Sequence, residues 1–193
     1  MKNVRVIIVG LVCIGLIIGY YVYLSNRNDS EDVKTSDDRT EVEKIIEDSD
    51  LEDDYPKTPR TVVKLYNRIT SSYYKEEYTD KQFLKLGDLQ RGLLDEELLS
   101  NNDRDVFFNN LRLEIKQYQD NKRTIESWTV SSTNDVIYKV IDKRECAYVT
   151  SSYFIKEGSS YKKTYQRYVL RKDDNEQWKI LVFYLIEGEK KDD

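Results

Sequence analysis

The chain has 193 residues, a formal net charge of -5 and no histidine, which allows one globular domain of ordinary size plus extensions. The missing imidazole excludes histidine-based catalytic triads and dyads and most zinc sites. Acidity is concentrated in residues 25–57, with thirteen Asp/Glu against five Lys/Arg. The rest of the chain beyond them is close to neutral and lacks the basic excess of a polyanion-binding fold, so nucleic acid is not an expected partner.

Residues 1–5 form a short basic tail carrying Lys2 and Arg5, and residues 6–24 then run without a charge. Nineteen residues at about 1.5 Å each span roughly 28 Å, close to the thickness of a bilayer core. A single transmembrane helix is therefore expected, with the lipid bilayer as partner of residues 6–24. The positive residues before it place the N-terminus in the cytoplasm and the remainder outside the cell membrane. A cleaved signal peptide fits less well, because no small-x-small site follows Gly19. Gly15 and Gly19 form a G-x-x-x-G spacing, a possible helix-dimer contact that also arises often by chance. Cys13 lies in this apolar run and Cys146 in an expected strand, so no disulfide joins them.

Residues 25–57 read as an acidic flexible linker, too poor in apolar groups to offset the cost of ordering. Within it, residues 40–48 offer at most one or two amphipathic turns through Val42, Ile45 and Ile46, marginal alone. The acids between Asp48 and Asp54 lack the glycine and closing glutamate of a calcium loop. No metal or cofactor is expected.

The globular domain is expected over residues 58–188, with a charged tail at 189–193. Thr58-Pro59 caps a helix over residues 59–75, with Val62, Val63, Tyr66, Ile69 and Tyr73 at helical spacing. Thr79 and Gln82 form a capping-box pattern opening a second helix to about Gln90, which Gly87 and Gly92 weaken or break, and Leu93, Leu94, Leu98 and Leu99 suggest a short further turn. Asp103 or Asp105 opens a third helix ending near Asn121. Beyond Arg123 the period changes to two, and strands are expected at residues 123–132, 136–142, 145–157, 160–172 and 177–187. The short turns between them predict an antiparallel meander. The fold class is α+β: three N-terminal helices packed on a five-stranded antiparallel sheet, preceded by a transmembrane helix and a disordered linker.

The closing run Tyr168-Val169-Leu170-Arg171-Lys172-Asp173-Asp174-Asn175-Glu176-Gln177-Trp178-Lys179-Ile180, a strand, an acidic turn and then Trp-Lys-Ile, resembles the end of many nuclear transport factor 2-like domains. The element order over residues 58–188 is similar too. That resemblance implies a strongly curved, cone-like sheet, and it looks most like membrane-anchored members from Gram-positive bacteria. Function does not follow from it, because this fold hosts unrelated roles.

Two S-x-x-K runs, Ser72 to Lys75 and Ser160 to Lys163, lack the partner motifs of penicillin-recognising enzymes, so no catalytic residues are assigned. The sixteen tyrosines suit strands and half-buried surfaces. In the last strand Ile180, Val182, Tyr184 and Ile186 are expected to point one way and Leu181, Phe183 and Leu185 the other, so both faces are apolar. Tyr165, Leu181, Phe183 and Leu185 are therefore the candidate sheet-face interface with a protein partner or a second copy. Trp128 and Trp178 read as core anchors. The leading functional expectation is a non-catalytic, membrane-tethered interaction module outside the cell. The alternatives are a small-ligand or isomerase-like pocket and a bitopic structural part of a conjugation or secretion apparatus.

Overall fold

A computed structural model describes residues 37–188. The expected tail at 1–5, the membrane span at 6–24 with Gly15 and Gly19, the first part of the linker and the tail at 189–193 lie outside the described residues. Among the described residues no helix is long and apolar enough to cross a membrane.

The unit Arg39–Asp193 is α+β. It has five helices: α1 (Glu41–Asp48), α2 (Pro59–Lys75), α3 (Asp80–Gly92), α4 (Glu96–Ser100) and α5 (Arg104–Asp120). Five strands follow: β1 (Arg123–Val130), β2 (Ile137–Ile141), β3 (Arg144–Glu157), β4 (Ser160–Lys172) and β5 (Trp178–Ile186). The core cluster runs from Val42 to Ile180 and lies wholly within this unit, which therefore carries its own hydrophobic core.

The domain starts earlier than the sequence pattern suggested. Residues 39–57 belong to it instead of serving as linker. Thr40 and Glu43 close a reciprocal capping box on α1, and Val42 and Ile45 are fully buried where α1 meets α2 and α3. Tyr55 is buried as well, and its hydroxyl donates to the Trp178 carbonyl at 2.8 Å. A short helix that is marginal alone is stabilised here by tertiary burial of one face.

The caps of α2 and α3 form as their sequences predict, with Thr58 and Thr61 reciprocal at one and Thr79 and Gln82 at the other. Gly87 does not break α3. A Cβ there would run into the Phe108 ring, so glycine allows α3 and α5 to approach closely. Residues 93–95 bridge from α3 to β5, where Ile180 donates to the Leu93 carbonyl at 2.9 Å and Asp95 donates to the Ile180 carbonyl at 2.8 Å. Asp95 is almost fully buried, caps α4 and receives two bonds from the Arg171 guanidinium.

The sheet is antiparallel, in the order β1-β3-β4-β5, with β2 also paired to β3. This differs from a simple meander in one respect. β1 and β2 do not pair with each other: both run antiparallel to β3, β1 along Ser151 to Glu157 and β2 along Arg144 to Tyr148. The 3-10 turn Thr133–Asp135 is thus an interruption in one edge course, and the chain does not reverse there. The true reversal before β3 is the Asp142-Lys143 turn, with both φ values positive at 50° and 65°, as a tight two-residue hairpin requires.

Alternation along the strands assigns their faces. The inward face carries Ile125, Trp128, Val149, Tyr153, Tyr168 and Leu170 against α2 and α5. In β5 the pairing steps from Leu170↔Ile180 to Val169↔Val182, leaving Leu181 as an extra residue. A one-residue bulge swaps the faces of everything beyond it. Ile180 therefore faces inward before the bulge and Phe183 and Leu185 face inward after it, while Val182, Tyr184 and Ile186 turn outward.

Candidate functional site

A cavity of about 500 Å³ lies between the inward sheet face and helices α2, α3 and α5. Three apolar stripes build it. From α2 come Tyr66, Tyr73 and Tyr74, from α5 come Phe107, Leu111 and Tyr118, and from the sheet come Ile125, Ile155, Phe183 and Leu185. Tyr74 and Tyr118 stack at 4.2 Å between ring centroids, and Phe183 packs on both Tyr66 and Tyr168. Leu185 is 74 % exposed and Phe183 38 %, so apolar surface continues from the interior to the opening.

Behind the aromatic lining lies a buried polar cluster. Asn67 is fully buried on α2, within the same helical stripe as Val63, Tyr66 and Thr70. Its Nδ2 donates to Ser151 Oγ at 2.7 Å, and that hydroxyl donates to the Thr129 carbonyl at 3.1 Å. The Asn67 carbonyl is thereby turned to the tyrosines, with Tyr153 at 2.6 Å and Tyr168 at 2.9 Å, while the two hydroxyls also contact each other. Tyr168 also reaches Gln166 Oε1 at 3.3 Å, so two phenolic protons are shared among four oxygen contacts. Burial pushes the Tyr153 phenol up to about 12 and raises that of Tyr168 well above its ordinary value. Both are neutral donors at physiological pH.

Two further buried atoms on this wall lack partners among the described residues: the Tyr73 hydroxyl and Gln90 Oε1. The orientation of the Gln90 amide is fixed by its neighbours. Thr70 Oγ1 spends its proton on the Tyr66 carbonyl at 2.9 Å, so it accepts from Gln90 Nε2 at 3.0 Å and leaves the amide oxygen over. Unpaired groups of this kind cost about 1–3 kcal/mol each when buried.

Two of the cavity's four charged groups pair with each other. Glu157 pairs with Arg123 at 2.8 Å, and Glu114 accepts from the Tyr74 hydroxyl at 3.0 Å. With Lys162 on the inward face of β4, the four formal charges lining the cavity balance. The arrangement suits a neutral, largely apolar occupant.

The four residues expected to share an interface do not share a face. Tyr165 points outward from β4, Leu181 is the bulge residue, and Phe183 and Leu185 line the cavity. The bulge is the reason, and no feature of the sequence marks it. Trp178 is buried as expected, while Trp128 packs half-buried against the core. Asn67 and Gln90 carried no signal beyond being polar residues in an apolar helical stripe. Among the described residues no group of His, Cys, Asp and Glu has the arrangement of a metal site.

No curated protein matches the chain. A family defined by a domain of unknown function, DUF6715, matches residues 1–183. The chain belongs to that family.

Proposed function

We propose that the domain is a non-catalytic binding module that takes a small, neutral and mainly apolar molecule into the cavity between α2, α5 and the sheet. The observation that carries this reading is the cavity itself. Its volume of about 500 Å³ falls in the range of ligand sites, and its lining is aromatic with a few convergent polar groups. The displacement of Phe183 and Leu185 from the outer face into the lining moves the weight from the interface reading to the pocket reading. The two carboxylates of the lining are held by Arg123 and Tyr74, which suits binding better than proton transfer.

The curvature of a nuclear transport factor 2-like cone is part of the same proposal, as is display outside the cell membrane on a single anchor at residues 6–24. The test is a thermal-shift screen of neutral aromatic compounds against the chain and its Thr164→Trp variant. Thr164 lines the cavity and is half-exposed, so the larger ring fills space without entering the packed core. The expected result is a set of compounds that raise the melting temperature of the parent and leave that of the variant unchanged. Equal shifts in both proteins would place binding elsewhere and end the proposal.

A further inference from the structure

The outward face of the sheet is segregated in charge. At the outward positions β2 carries Ile137, Lys139 and Ile141, β3 carries Tyr148, Thr150, Ser152, Phe154 and Lys156, and β4 carries Tyr161, Lys163, Tyr165 and Arg167. β5 adds Val182, Tyr184 and Ile186. No carboxylate occupies any of these positions. Of the carboxylates near this face, Glu126 sits at the irregularity of edge strand β1 and accepts from Thr124 Oγ1, while Asp95 and Glu97 lie at the far end of β4. Arg171, farther along β4, is paired with Asp95 and Glu97. Among the described residues, Lys139, Lys156, Lys163 and Arg167 have no carboxylate partner, in contrast to Arg104, Arg123 and Lys172. A chain of net charge -5 thus presents four unpaired cations on one face, interleaved with apolar side chains. Phe154 is 41 % exposed, Tyr161 56 %, Val182 43 % and Tyr184 45 %.

We infer that this face docks on an anionic lipid surface, with the four cations against phosphate headgroups and Phe154, Tyr161 and Tyr184 at the level of the interface. Charge complementarity selects an anionic partner, and the exposed rings favour one that also offers apolar depth; lipid headgroups above acyl chains supply both. A second copy meeting this face with its own would oppose four cations to four. Single-stranded nucleic acid needs free ring faces on which bases stack. Here one face of each of four rings is already taken: Phe154 and Tyr161 stack on each other at 5.1 Å, Lys163 lies over Tyr165 at 5.2 Å and Lys139 over Tyr148 at 5.3 Å. Their edges, which the stacking leaves available, suit the headgroup region better than base stacking.

Residues 39–193 hold a closed core, so they can be tested without the expected anchor. The experiment is co-sedimentation of this fragment with sucrose-loaded vesicles of pure phosphatidylcholine and of phosphatidylcholine with 30 mol % phosphatidylglycerol. An oligo(dT) strand is titrated in parallel in the same buffer. Each cation near an anionic leaflet strengthens partitioning about fivefold. The Lys163→Glu/Arg167→Glu double variant should therefore lose at least tenfold in binding to the anionic vesicles, and raising salt to 0.5 M should weaken the parent. The Lys81→Glu/Lys85→Glu variant carries the same charge change on exposed positions of α3 and should bind as the parent does. Equal binding to both vesicle types, or equal losses in the two double variants, would overturn the assignment. Tighter binding to oligo(dT) than to the anionic vesicles would overturn it in favour of nucleic acid.

Discussion

At the scale of single residues, Asn67 has the largest structural role for its size. It sits at the centre of a polar cluster between α2 and the sheet, and its carbonyl faces both the Tyr153 and Tyr168 hydroxyls. Asn67→Ala leaves two buried hydroxyls and Ser151 short of partners and opens a small void. The expected loss is about 2–4 kcal/mol, read from urea unfolding at constant m. Tyr153→Phe removes one donor while Tyr168 still reaches Asn67, so about 1 kcal/mol is expected there. A loss at Asn67 no larger than at Tyr153 would show that the cluster is not centred on the amide. None of this was legible in the sequence. Asn67 stands at a helix position where a polar residue reads as solvent-facing, and only its place among Val63, Tyr66 and Thr70 hinted otherwise.

The elements were more legible than their limits. α2, α3 and α5 follow from capping residues and apolar spacing, because each has a local signature that burial reinforces. The strands follow from the change of period after Arg123. Local pattern does not reach long-range partners, and α1 shows this most clearly. Its eight residues look like a fragment of linker until Val42 and Ile45 meet α2 and α3. If this helix is part of the domain, Ile45→Ala should destabilise residues 39–193 by about 2–4 kcal/mol in the same unfolding experiment. In a flexible linker the same change would cost nothing, and a variant indistinguishable from the parent would contradict the extended domain boundary. The bulge at Leu181 belongs to the same class. Strand and alternation were both legible, but one extra residue set by pairing with β4 reversed the faces of Val182 to Ile186.

At the scale of the whole molecule the two sheet faces have different chemistry. The inward face and its helices enclose a cavity whose charges balance, and the outward face gathers cations that composition averages away. A near-neutral count over residues 58–193 excluded a strongly basic fold, yet it could not register that Lys139, Lys156, Lys163 and Arg167 fall on one side. Alternation within each strand was readable, but which side the helices cover depends on tertiary packing. The two faces meet along β4, where Lys163, Tyr165 and Arg167 alternate with Lys162, Thr164, Gln166 and Tyr168.

The isoleucines provide reporters for both faces: Ile125 and Ile155 line the cavity, while Ile137 and Ile141 are exposed on β2. The most direct test of the binding-module reading is a methyl NMR spectrum of isoleucine-labelled protein, recorded as a compound from the thermal screen is added. The cavity account predicts that the Ile125 and Ile155 methyls shift with saturation while those of Ile137 and Ile141 stay in place. Shifts at Ile137 and Ile141 with Ile125 and Ile155 unmoved would contradict it.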